Sequence, residues 1–157
     1  MTTASAATDD LLLQPMPFLS SVLQIEPQWI DYNGHLNMAY YNVMFDRAID
    51  ELWLKLGIGP GYMKARHGST FTAECHVRYL REVHLGDPVQ VSILLVAADE
   101  KRLHTFEELR HASEGWLSAT SSVACGNTTA SGGWLSIQVV VWPCCSRTAC
   151  EVTRRLP

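Results

Sequence analysis

The chain has 157 residues, 47% hydrophobic and 18% charged, with a formal net charge of −4. That length suits one domain with a sizeable core, and the acidic balance argues against nucleic-acid binding. No run has the length of a membrane span, Asp9 and Asp10 stand where a signal peptide would be basic, and the five cysteines show neither CxxC nor Cys/His spacing. The expectation is a cytoplasmic protein without membrane partner, disulfide framework, metal or redox cofactor.

Residues 1–17, with Gln14-Pro-Met-Pro17, read as a loose leader. Phe18 to Pro27 alternates in part, with Val22 and Ile25 apolar, and predicts a first strand. A loop, Trp29-Ile-Asp-Tyr-Asn-Gly-His-Leu-Asn37, then meets a long stretch in which Tyr41, Phe45, Ala48, Ile49, Leu52, Trp53 and Leu56 recur at helical spacing. Asp46, Arg47, Asp50, Glu51 and Lys55 fall mostly on the other side. Asn37 suits the N-cap, and Gly57 and Gly59 supply the stop. Gly59-Pro-Gly61 and Gly68-Ser69 read as breaks.

Strand signals follow in series. Phe71, Ala73, Cys75, Val77 and Tyr79 alternate with Thr72, Glu74, His76, Arg78 and Leu80. After the turn Val83–Pro88 comes a mostly apolar strand, Val89 to Ala98, which Asp99–Arg102 can fold back as a hairpin into Leu103 to His111. Leu103 and Thr105 share one parity, whereas Phe106 and Leu109 do not share theirs, so a bulge or twist is expected there. Trp116 to Ala124 makes the last strand. One early helix and consecutive hairpin-linked strands predict an α+β fold over 18–124, an antiparallel sheet with the helix on one face.

The chemistry-bearing residues gather before that helix. Asp31, His35 and Gly34 precede a helix N-terminus, whose unpaired amides and positive dipole end can hold a polarised oxygen. Asn33-Gly34 between apolar flanks is also a hairpin-turn signal by itself, with Asp31 then merely solvated. The change of period from two to about 3.6 across the turn instead has it join a strand to a helix.

Asp31-Tyr-Asn-Gly-His-Leu-Asn37 before a Tyr-rich helix, followed by Thr70-Phe71, Val77–Leu80, Gly86-Asp87 and Lys101-Arg102-Leu103-His104, resembles the hotdog-fold acyl-CoA thioesterases. The nearest subgroup is the 4-hydroxybenzoyl-CoA thioesterase-like one, with its Asp-x-x-Gly-His-x-Asn signature. Tyr-Asn-Gly-His-Leu-Asn-Met-Ala-Tyr-Tyr is also similar to thioesterases of carnitine and betaine breakdown. Gly-His or Gly-Asp alone would be weak; the ordered set from about Val22 to about Ser122 is specific.

The resemblance implies a hotdog fold, an antiparallel sheet wrapped around one long helix, and hydrolysis of a small acyl-CoA thioester without a cofactor. Asp31 maps onto the family's loop carboxylate, as nucleophile or as general base on water. Amides near Asn37, Met38 and Ala39 would take the developing oxyanion. His35 would be an acid/base group, an orienter of Asp31, a substrate contact or simply a packed histidine. Tyr40 and Tyr41 read as core or pocket aromatics, Glu74 as a second candidate acid, and Arg78, Arg81, Lys101 and Arg102 as surface charge or cations for CoA phosphates. The family implies a homodimer or homotetramer in which each site borrows residues from its neighbour. The alternatives are a non-hydrolytic acyl-CoA or acyl-ligand binding module, and a hydratase or dehydratase, whose His/acid pattern Asp31 and His35 do not obviously fit.

The end of the chain departs from the family. No charged residue stands between Trp116 and Ser146, and Cys125, Cys144, Cys145 and Cys150 all follow position 124. Residues 125–157 therefore read either as a divergent extension or as the product of a change of reading frame near Ser121 or Ser122, with Trp134–Trp142 as one more strand.

Overall fold

A computed structural model describes residues 17–99 and 101–129. The expected leader up to residue 16, the expected strand 134–142 and the uncharged end from 130 onward lie outside the described residues.

Asn37 starts the long helix α1 (Met38–Lys55) as a cap, its side-chain oxygen accepting from the Ala39 amide at 3.0 Å. Tyr41, Met44, Phe45, Ala48, Leu52 and Trp53 are buried along one face, and Ile49 and Leu56 flank them half-buried. The turn leaves through Gly57, at φ 71, a conformation that glycine adopts without a Cβ clash.

Gly59-Pro-Gly61 is a helix start rather than a break: α2 spans Pro60–Arg66. Proline suits the first helical position, where its missing N–H is not needed. A Cβ on Gly59 would meet Leu54 Cδ2 at 2.7 Å, a contact that a turn of the exposed Leu54 side chain relieves.

The strands form one antiparallel sheet in the order β1-β3-β4-β5-β2, from β1 (Phe18–Leu19), β2 (Gly68–Tyr79), β3 (Val89–Ala98), β4 (Arg102–His111) and β5 (Leu117–Thr129). The first strand is shorter than Phe18–Pro27: after Leu19 only an isolated bridge, Leu23 to Val89, remains before a 3-10 turn at Pro27–Trp29. Ser21 is drawn away to α1, where its amide donates to Glu51 at 2.8 Å. The Asp99 hairpin forms as expected, its carboxylate accepting from the amides of Lys101 and Arg102, both at 2.8 Å. β5 continues five residues past Ala124.

The apolar face of α1 lies over Val89, Val91, Ile93, Leu103, Leu109 and Ala119, all fully buried. Burying such side chains stabilises by about 1.5–3 kcal/mol each. β4 alternates without interruption, with Leu103, Thr105, Glu107, Leu109 and His111 buried and Phe106 on the other face. The parity mismatch of Phe106 and Leu109 thus needs no bulge between them. Phe106 faces outward, and Glu107 takes the interior place. A register shift does lie between Leu109 and Arg110 against β5, and another between Leu95 and Ala97 in β3. The result is the expected α+β arrangement, one curved sheet holding one long helix. At the sheet's edge, β2 is exposed over most of its length.

Candidate active site

The loop before α1 is a tight turn closed by an Ile30–Leu36 bridge. Asn33-Gly34 therefore forms the hairpin turn that its sequence signals, and Asn37 caps α1 immediately afterwards. The Asp31 amide donates to the His35 carbonyl at 2.9 Å, the Gly34 amide to the Asp31 carbonyl at 3.0 Å, and the Asn37 amide to the Trp29 carbonyl at 2.9 Å. Gly34 sits at φ 83, where a side chain would strain the turn. Asp31 Oδ1 accepts the Asn33 amide at 2.8 Å, which fixes the carboxylate and leaves Oδ2 without a hydrogen-bond partner among the described residues.

The expected oxyanion donors resolve to one. The Asn37 amide is used by Trp29, that of Ala39 by the Asn37 side chain, and that of Tyr40 by the Asn37 carbonyl at 3.0 Å. The Met38 amide is left without an acceptor among the described residues, at the positive end of an 18-residue helix. A carboxylate with a free oxygen and an amide with a free hydrogen thus lie on either side of one short ladder of turn bonds in sequence.

His35 is joined to Asp31 through backbone only. Its Nε2 lies 3.2 Å from Glu82 Oε2, and its ring meets that of His84 edge-on at 5.3 Å. The donor atoms of His35, Glu82 and His84 all lie within 4.8 Å of one another, the one such group among the described residues that has metal-ligand chemistry. His84 also approaches Asp87, at 3.8 Å.

The other predicted residues scatter. Tyr40 stacks on Trp29 at 5.3 Å, and Arg47 covers the same indole at 4.7 Å. Tyr41 is core: it is 4% exposed and edge-on to Tyr79, and burial raises its pKa although bonds to Ser118 and the Val83 backbone pull the other way. Tyr79, which donates to the Met38 carbonyl at 3.4 Å, and Cys75, 3.8 Å from Asn42, face α1. Alternation along β2 therefore puts Glu74 and Arg78 on the sheet face away from α1 and the loop. Arg102 clasps Asp99 at 2.7 Å across the β3–β4 hairpin, and hydrogen bonds from Arg102 hold the Asp99 carboxyl below its usual range. Arg81 covers Trp116 at 4.1 Å.

A cleft of about 750 Å³ opens between α1, the start of β2 and the inner face of the sheet. Its floor holds Glu107, which the sequence reading did not select. The signal was present: if Leu103, Thr105 and Leu109 face the core, strict alternation carries Glu107 inward with them.

Residues 25–143 match the thioesterase-like superfamily. The chain is 40% identical over 95 residues to a betainyl-CoA thioesterase of Pseudomonas aeruginosa, covering 60% of each protein, so it spans less than two thirds of the curated relatives it matches. A Staphylococcus aureus protein solved in complex with CoA has the same fold, at TM-score 0.72 and 24% identity over 80% of this chain and 89% of that one. A putative thioesterase of Pseudomonas putida KT2440 is similar at TM-score 0.63 and 28% identity, over 90% of this chain and 86% of its own. The family match covers the loop, α1 and every strand of the sheet after β1, and the chain belongs to the thioesterase-like superfamily.

Proposed function

We propose that the protein hydrolyses a small acyl-CoA thioester to the free acid and CoA. The observation that carries this reading is a fixed carboxylate, Asp31, seven residues before an unengaged helix-terminal amide, Met38. Thioester cleavage needs an attacking oxygen on one side of the carbonyl and a donor for the developing oxyanion on the other. Asp31 supplies the first, attacking directly to give a mixed anhydride that water then opens, or taking a proton from the attacking water. The Met38 amide supplies the second, helped by the helix dipole. His35, paired with Glu82, stands at the same turn as a substrate contact.

The relatives' names support a short acyl group, and the carnitine- and betaine-related subgroup is the finer assignment we favour. We assign Arg78 and Arg102 to the phosphates of CoA, reached across an assembly of two or four copies. The long exposed edge of β2, unpaired among the described residues, supports such an assembly.

The test is thiol release from short, betainyl, aromatic and medium-chain acyl-CoAs by wild type beside Asp31→Asn. Turnover by wild type that is lost in the variant supports the reading. A folded wild-type protein that cleaves none of them overturns it and favours an acyl-ligand binding module.

A further inference from the structure

His35, Glu82 and His84 stand outside both the core and the cleft, and the backbone brings them together. The Leu36 amide donates to the Val83 carbonyl at 2.8 Å, which clips the turn before α1 to the segment after β2. Val83 and Leu36 are buried, while Glu82 and His84, on either side of Val83, are exposed. The half-buried imidazole of His35 meets them there. No cysteine contributes, and His35 is far along the chain from the other two, so sequence spacing does not disclose the group.

The distances suit one divalent ion. Tetrahedral zinc with bonds of about 2.0–2.1 Å sets its ligand atoms about 3.3 Å apart, and His35 Nε2 lies 3.2 Å from Glu82 Oε2. Two imidazoles on such an ion have centroids about 5 Å apart; the His35 and His84 rings are 5.3 Å apart, at 89° to one another. All three ligand atoms lie within 4.8 Å, and small rotations of the exposed Glu82 and His84 side chains close the remainder. Asp87 backs the group: its carboxylate accepts the His84 amide at 2.8 Å and lies 3.8 Å from His84 Nδ1. A carboxylate behind a ligating imidazole orients the ring and makes it a better ligand.

Neither Glu82 nor Asp87 is paired with a lysine or arginine among the described residues. With the imidazoles neutral, both carboxylates are left for a dication to offset. Imidazole ligands favour zinc, cobalt, nickel and copper over magnesium and calcium, which ask for oxygen.

We propose that His35, Glu82 and His84 bind a zinc-class divalent ion, and that the ion arrests the turn that carries Asp31. Binding follows from the cluster alone; the effect on turnover rests on the thioesterase reading. The His35 carbonyl accepts the Asp31 amide at 2.9 Å, so imidazole and carboxylate ride one turn. An ion on His35 takes the Nε2 lone pair away from acyl-CoA. It also ties the turn to residues 82–84 through metal bonds in addition to the single Leu36 amide. Chelation of the ion releases both.

The experiment titrates EDTA-treated, dialysed protein calorimetrically with zinc chloride, beside magnesium chloride, in wild type, His84→Ala and Glu82→Gln. Thermal unfolding without metal checks the folding of each. Because the chain has five cysteines, absorption spectra with cobalt chloride separate imidazole and carboxylate ligation from thiolate ligation, which adds an intense charge-transfer band. Turnover is followed by loss of thioester absorbance, since zinc captures the released thiol. Expected is one zinc per chain at a site that magnesium does not fill, weakened at least about tenfold in both variants. Saturating zinc should lower wild-type turnover at least about fivefold, and EDTA should restore it. His84→Ala without metal should turn over like wild type and should resist zinc. Failure of folded wild type to bind zinc overturns the site, as does binding that both variants leave unchanged or a thiolate band at the tight site. Zinc binding that leaves turnover unaltered overturns the arrest. Zinc binding by a protein that hydrolyses no thioester overturns the thioesterase reading and leaves the metal site standing.

Discussion

Asp31, on the loop before α1, and Glu107, on β4, are two carboxylates whose surroundings are opposite. Asp31 rides a turn that water reaches, where one oxygen is fixed by the Asn33 amide and the other is free to react. Glu107 is buried on β4 with one oxygen satisfied by Thr105 and the other without a hydrogen-bond partner among the described residues. Burial pushes the Glu107 carboxyl from its ordinary 4.5 up to about 7, against the Thr105 hydrogen bond and with help from the Asp46 charge. The same functional group thus keeps a free, water-accessible oxygen in one place and is sealed from water in the other. What separates them is solvent access, which decides whether the charge is cheap to keep.

The sharpest way to break this contrast is to remove the carboxylate to which we assign the attack. Asp31→Asn keeps the shape of the turn, and kcat in a thiol-release assay should fall at least about a thousandfold, some 4 kcal/mol of barrier at 1.4 kcal/mol per factor of ten. The unfolding transition should barely move.

Glu107→Gln should do the reverse. An acid whose folded pKa lies above its unfolded one favours the folded state while protonated, and that advantage is lost as pH rises from about 4.5 through about 7. A rise of that size corresponds to roughly 3 kcal/mol, so the variant should be more stable than wild type by about that much at pH 8 and equal to it below pH 4.5. Urea unfolding across the pH range measures the difference. A flat difference between pH 4 and pH 8 would show that Glu107 is not held out of water.

Asn37→Ala sharpens the comparison at the loop, because the cap fixes the first turn of α1, which carries the Met38 amide. It should cost about 1 kcal/mol of stability by thermal unfolding. Turnover should suffer more than that loss suggests, since a frayed first turn no longer holds the Met38 amide in place. The smallest effect is expected at Glu82→Gln. Its pairing with His35 is largely exposed, and such pairs contribute under about 1 kcal/mol.

The two regions also differ in how far the sequence disclosed them. The loop is local: Asp31 through Asn37 lie within seven residues, and Asn37 caps α1 as its residue type suggests. The α1 face and the four long strands follow from periodicity alone, and the α+β order follows from those. The cleft depends on pairing between β4 and a helix some sixty residues earlier, which no local pattern specifies. Glu107 breaks the usual alternation of apolar and polar residues, so Phe106 seemed to belong inside and a bulge was expected. Proline after Gly59 marks a helix start as readily as a break, and here it occupies the first turn of α2. The short β1 reflects competition for Ser21 by Glu51, thirty residues on.

The exposed edge of β2 has a thermodynamic consequence. Twelve residues there end the sheet, with Phe71 and Tyr79 largely uncovered. Once a second copy satisfies such an edge, the folded state becomes a function of how much protein is present. The melting temperature then rises with concentration by mass action, and dilution alone weakens the fold. A dilution series read by thermal unfolding is therefore as direct a probe of β2 as any substitution in it.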